Sequence, residues 1–153
     1  MLLGLLAVSR PLPSLAQDSS KTEGQIFTDW RVACDADAPC RMAQTVVQPS
    51  SGRLIIQMKV FSGEVPTALL SFPLGILLST GWQYQIDGGQ KVTLPFEICN
   101  TEGCHAGIRL TSATLASLKR GNEFRITFYD ASQSAVQPVI SLAGFTKAWN
   151  ALQ

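Results

Sequence analysis

The stretch Glu97-Ile98-Cys99-Asn100-Thr101-Glu102-Gly103-Cys104-His105-Ala106-Gly107 holds two of the chain's four cysteines and its single histidine. Three chemistries use such a cluster. Thiolates and an imidazole bind metal, a low-pKa thiol pair exchanges disulfides, and two thiols close a covalent staple. Zinc sites place paired cysteines about two to four residues apart. Adjacent Cys104 and His105 would also point to opposite faces of a strand, so a Cys99, Cys104, His105 metal centre is the weaker alternative. A thioredoxin-like site needs Cys-x-x-Cys at a helix start, and neither Cys34 with Cys40 nor Cys99 with Cys104 has that spacing. Four cysteines in an exported chain read first as disulfides. Short separation and turn-like intervening residues favour Cys34–Cys40 and Cys99–Cys104, each closing a loop of six or seven residues. Chain entropy gives about 2 kcal/mol for so short a loop and about 4 kcal/mol for a long-range pair such as Cys34–Cys99, so energy alone does not select the pairing. His105 then becomes a half-exposed strand residue beside a staple.

Other residue types are weighed the same way. A serine hydrolase could use only His105 as its base, and the chain has no Gly-x-Ser-x-Gly elbow. Glu97, Glu102, Glu123 and Asp130 supply carboxylates that a glycan hydrolase would need in a pair, although solvated surface is their commoner fate. Asp35 and Asp37 lie inside the first cysteine loop and could offer oxygens to calcium. They fit no EF-hand spacing, and a polar loop tip is the simpler reading. Tryptophan faces stack on sugars but more often pack in cores. Trp30, just before a cysteine on an apolar strand, is assigned to the core. Trp82 has Gln83 and Gln85 around it and Tyr84 nearby. Trp82 and Tyr84, with Asp35 and Asp37, form the candidate partner surface. No catalytic residue, cofactor or metal is expected.

The elements that must position these residues are mostly strands. Runs at 26–34, 41–48, 53–61, 67–75, 81–87, 90–99, 105–110, 122–130 and 136–144 are separated by turn signals. In the eighth, Phe124, Ile126 and Phe128 alternate with Arg125, Thr127 and Tyr129, the period of a half-buried strand. Asp87-Gly88-Gly89 and the segment 48–52 read as turns. One helix is predicted over 111–121: Thr111 or Ser112 caps it, Leu115 and Leu118 share a face, and Lys119 and Arg120 suit its C-terminal end. Gly121 is expected to close it in the left-handed conformation. A second helical turn is expected over 146–153. Many short strands with one or two short helices predict an all-β antiparallel sandwich, jelly-roll or Ig-like, in one domain over 26–153.

Charge and the first residues bound the function. Charged residues make up 15% of the chain against 46% apolar, and 12 basic residues stand against 11 acidic. This balance argues against nucleic acid as a partner. Met1 to Val8 is apolar but far short of the ~20 residues that span a bilayer. Ser14 and Ala16 fit a signal peptidase site, although no basic residue precedes the apolar run. Residues 1–16 are therefore expected to be a signal peptide and 17–25 a polar tail. The protein is expected to be exported and not integral to a membrane.

Six segments follow one another in a recognisable order: DWRVAC, CRMAQ, FPLGILLSTGWQYQIDGG, FEICNTEGCHAGIRL, LKRG and SLAGFTKAW. With its Trp30-x-Val32-x-Cys34 start, Pro73-Leu74-Gly75 turn, Cys99 to Gly103-Cys104 pair and Gly144-Phe145 close, the chain resembles the invasion-associated locus B family of exported α-proteobacterial proteins. The resemblance covers roughly residues 26 to 152. It implies a periplasmic or outer-membrane-associated protein, tied in pathogens to host-cell entry and elsewhere to envelope maintenance. It carries over no enzymatic activity, cofactor or catalytic residue. The expected partner is an envelope or host-surface protein or glycan.

Overall fold

The computed structural model describes residues 24–153. The expected signal peptide, 1–16, and most of the expected tail lie outside them. Gln25, placed in that tail, is the first residue of β1.

Most predicted runs become strands, and the differences have local causes. The first run divides into β1 (Gln25–Phe27) and β2 (Trp30–Asp35), because Thr28 takes φ 56° in the turn between them. Next come β3 (Ala38–Val47), β4 (Leu54–Phe61), β5 (Thr67–Phe72) and β6 (Trp82–Ile86). The run over 90–99 yields only β7 (Val92–Leu94) and β8 (Ile98–Asn100), with Pro95 between them. β9 (Gly103–Arg109) and β10 (Glu123–Tyr129) follow. The last run is β11 (Ala135–Val136) and β12 (Val139–Ser141). These two pair with β10 in one continuous register, so they are a single strand interrupted at Pro138, which has no N–H to give. The Pro138 carbonyl still accepts from Ile126 N–H at 3.0 Å.

The Asp87-Gly88 turn has φ 47° and 71°, and Gly89 N–H closes it on Ile86 O at 2.8 Å. Positive φ at both central positions is the turn whose twist matches a hairpin. Helix α1 (Ser112–Arg120) starts at Thr111, whose Oγ1 accepts from Thr114 N–H at 3.1 Å. Its close differs from expectation. Gly121 is extended, at φ −76° and ψ 169°, not left-handed. Space is what requires glycine there: a Cβ would lie 2.9 Å from Ile86 Cγ2, Leu142 Cδ1 and Ser117 O. Helix α2 (Phe145–Ala151) forms one residue ahead of the predicted turn.

The strands make two antiparallel sheets, a seven-stranded one ordered β1-β2-β3-β4-β5-β9-β8 and a smaller one built on β10, β6, β7 and the β11–β12 strand. The all-β sandwich-like class is thus observed. Core residues come from both sheets: Trp30, Met42, Ile56, Met58, Leu70 and Phe72 from the first, and Trp82, Phe124, Ile126, Phe128 and Ile140 from the second. Phe72 joins them, with Phe128 edge-on at 5.3 Å and Trp82 tilted at 5.4 Å. Polar bonds add to this apolar seam. Trp30 Nε1 and Gln44 Nε2 both donate to Ser141 O at 2.9 Å, and Gln44 Oε1 accepts from Ser141 N–H at 2.8 Å. Phe145 of α2 meets Trp30 edge-on at 5.1 Å, closing one end of the core.

Candidate functional site

Both local cysteine pairs are disulfides, Cys34–Cys40 and Cys99–Cys104, with Cα atoms 4.1 and 4.0 Å apart. Cys99 and Cys104 stand directly opposite each other in the β8–β9 hairpin, so the strand register brings them together. Thiolates are what a metal or a nucleophilic reaction would use. With both sulfurs bonded to each other, the Cys99, Cys104, His105 metal reading loses its ligands. The two staples do not share a rim. Cys40 adjoins the row Arg41, Phe61, Thr67, Arg109, whereas Cys104 sits opposite Phe72 at the other end of the same sheet.

The candidate surface residues separate. Trp82 is fully buried, with Nε1 donating to Pro95 O at 3.2 Å, and cannot face a partner in this fold. It shares its inward face with Tyr84 and Ile86, while Gln83 and Gln85 point outward. Tyr84 is half-buried and stacks on Phe124 at 5.0 Å. It lines a cleft of about 460 Å³ between the β6–β7 hairpin and α1, with Ile86 and Val92 in the wall and Thr114, Ser117 and Arg120 across it. Burial pushes the Tyr84 phenol above its ordinary pKa. Asp35 and Asp37 lie in the other sheet, exposed at the tip of the β2–β3 hairpin, and Asp35 is ion-paired with Arg41. They do not join Tyr84 in one site.

His105 is half-buried, as expected, but it has a partner that sequence could not show. Its Nδ1 is 3.0 Å from Ser71 Oγ, and its Nε2 is 3.4 Å from Asn100 Oδ1. Ser71 and His105 are cross-strand neighbours on β5 and β9, which explains the contact. A serine nucleophile with a histidine base would use the same pair. Here Ser71 is only 9% exposed, and Asn100 Oδ1 already accepts from the backbone N–H groups of Glu102 and Gly103. The cluster organises the stapled hairpin.

Of the four candidate carboxylates, Asp130 and Glu123 have structural partners. Asp130 accepts from the N–H groups of Ser132 and Ser134 and from Ser132 Oγ; Glu123 is paired with Arg125. Asp87 accepts from the N–H groups of Asn122 and Glu123, tying the β6–β7 turn to the start of β10. Those backbone bonds hold its carboxyl below the ordinary range, and the Ser132 hydroxyl and Ser134 N–H do the same for Asp130.

Sequence reasoning missed the outer face of the seven-stranded sheet. Arg31, Arg41 and Lys59 project there from three adjacent strands around Ala43 and line a depression of about 460 Å³. The available signal was a cation-x-alanine alternation, Arg31-x-Ala33 and Arg41-x-Ala43, each at a strand's polar face. Among the described residues no helix is long and apolar enough to cross a membrane.

Fold and staples together define a small, disulfide-bonded, two-sheet antiparallel β-domain. The family profile described as invasion associated locus B (IalB) protein matches residues 30–153, and the chain belongs to that family. Among solved structures the chain is similar to invasion associated protein B from Bartonella henselae, with a TM-score of 0.76 at 24% identity, covering 84% of this chain and 94% of that one. At that identity the likeness bears on the fold. No curated protein matches the chain.

Proposed function

We propose that this protein is an exported, non-enzymatic β-domain of the cell envelope, periplasmic or outer-membrane-associated, that binds an envelope or host-surface partner. The observation that carries the reading is the closed pair of disulfides in a chain of the invasion-associated locus B family. Disulfides persist where the surroundings are oxidising, and short staples limit the ordering needed when a surface engages a partner. The Bartonella relative is called invasion associated, and promotion of host-cell invasion, or maintenance of the envelope in a free-living cell, is the role this reading gives the present chain. Engagement of Asp130, Glu123 and Asn100 in the fold supports binding over hydrolysis.

Fractionation with in vivo cross-linking tests the reading. Recovery in the envelope fraction, with a discrete cross-linked protein or glycan, is the expected result. Recovery with reduced cysteines in the cytoplasm would overturn it, and so would turnover of a cell-wall glycan that disappears when two clustered carboxylates are changed.

A further inference from the structure

The outer face of the seven-stranded sheet carries a charged depression that neither the core, the staples nor the Tyr84 cleft uses. Alternate residues of β2, β3 and β4 point away from the core, among them Arg31, Arg41, Ala43, Thr45, Gln57 and Lys59. The ladder sets Ala43 opposite Arg31 on one side and Lys59 on the other. Neighbouring strands lie about 4.8 Å apart, so the backbones of Arg31 and Lys59 are about 10 Å apart with a methyl group midway. Arg41 stands two residues from Ala43 on the same strand and face. Three long cationic side chains therefore surround a floor one carbon deep.

The local charge has a positive excess. Arg31, Arg41 and Lys59 line the depression with a single carboxylate, Asp29. Arg41 gives one N–H to Asp35, while Arg31 and Lys59 take part in neither ion pair found among the described residues. With Asp29 in the lining and Asp35 engaging Arg41, two carboxylates stand against three cations, and the remaining positive charge, on the side of Arg31 and Lys59, favours an anion there.

We propose that this depression binds a phosphate monoester carried on a sugar. The assignment rests on the binding-domain reading and names its ligand. A planar carboxylate is satisfied by the fork of one arginine, whereas a terminal phosphate presents three oxygens in three directions, which suits donors arriving from three strands. Beside the cations, Gln57 Nε2 donates to Thr45 Oγ1 at 2.9 Å, and this amide–hydroxyl pair offers further donors and acceptors to ring hydroxyls. The volume, about 460 Å³, falls in the range of small-molecule clefts.

The test is an NMR titration of the full chain, reading alanine and threonine methyls, with glucose 6-phosphate, inorganic phosphate and glucose as probes. Glucose 6-phosphate should move the methyls of Ala33, Ala43 and Thr45 saturably and bind more tightly than inorganic phosphate; glucose should leave them unmoved. Added salt should weaken the binding, because the groups are partly exposed. Arg31→Gln and Lys59→Gln should each weaken it about tenfold, the loss of one charge-assisted contact. Ala43→Glu seats a tethered carboxylate among the cations and should abolish binding with the remaining spectrum intact. The proposal is overturned by absence of saturable shifts with either phosphate, by wild-type affinity in Ala43→Glu, or by equal affinity for inorganic phosphate and the sugar phosphate. Envelope cross-links without phosphate binding would sink this site alone. Phosphate binding without any cross-link would sink the envelope-partner reading alone.

Discussion

Gly144 leads the chain into α2 at φ 86°, and a Cβ there would lie 2.1 Å from the Phe27 carbonyl oxygen. Gly144→Ala therefore combines a disfavoured backbone conformation with a backbone collision, and should lower stability by about 2–3 kcal/mol, read as a fall in the urea midpoint. Asp87 makes a prediction of a different kind. Its folded carboxyl titrates below the ordinary range, so its contribution is fully present above the unfolded pKa and is lost as pH falls through the folded one. Asp87→Asn should flatten the decline of Tm below about pH 4, where an unperturbed Asp begins to take up protons. A decline as steep as that of the wild type would show that the backbone bonds of Asp87 carry no charge-dependent stability. At this scale, Trp82 is instructive. Its glutamine neighbours suggested exposure, but alternation puts Gln83 and Gln85 on the opposite face, and the same period-two rule that placed Phe124, Ile126 and Phe128 inward would have buried Trp82.

Elements with strong local chemistry were readable. Helix α1 could be drawn from its cap, its Leu115–Leu118 face and its basic last turn, and the structure keeps all three. Thr111→Ala removes the side-chain acceptor at its start and should lower stability by about 1 kcal/mol in chemical denaturation. The hairpin disulfides were readable too, because short separation and strand pairing point the same way. Replacing Cys99 and Cys104 together by serine should cost about 2 kcal/mol, seen as a lower Tm with far-UV circular dichroism unchanged before the transition. The strand interruptions were less legible. Pro95 and Pro138 announce themselves as breakers, but only the partner ladder shows that Pro95 separates two strands while Pro138 leaves one strand in register. Thr28 gave no signal, since a β-branched residue rarely takes positive φ.

At the scale of the whole molecule, sheet membership depends on pairings between distant segments. β9 lies beside β5 although β6, β7 and β8 intervene in sequence, and no local periodicity encodes that neighbour. The depression around Ala43 was hidden for the same reason: its three cations come from three strands and meet only once the register is known. The core itself was legible as alternating apolar positions. All three tryptophans are buried, so native emission should resist iodide quenching and shift to longer wavelength only with global unfolding. Trp82→Ala, at the seam between the sheets, should lower stability by about 3–5 kcal/mol in urea denaturation, with glucose 6-phosphate binding retained below the transition.

Each cysteine is joined to the next one along the chain, Cys34 to Cys40 and Cys99 to Cys104. A polypeptide delivered N-terminus first therefore presents its thiols in the order in which they must be wed. The first couple can be sealed before the second has emerged, and no crossed link needs to be undone later. Consecutive pairing of this kind is the connectivity that a simple electron acceptor can complete, because no thiol has to pass over an earlier one to reach its mate.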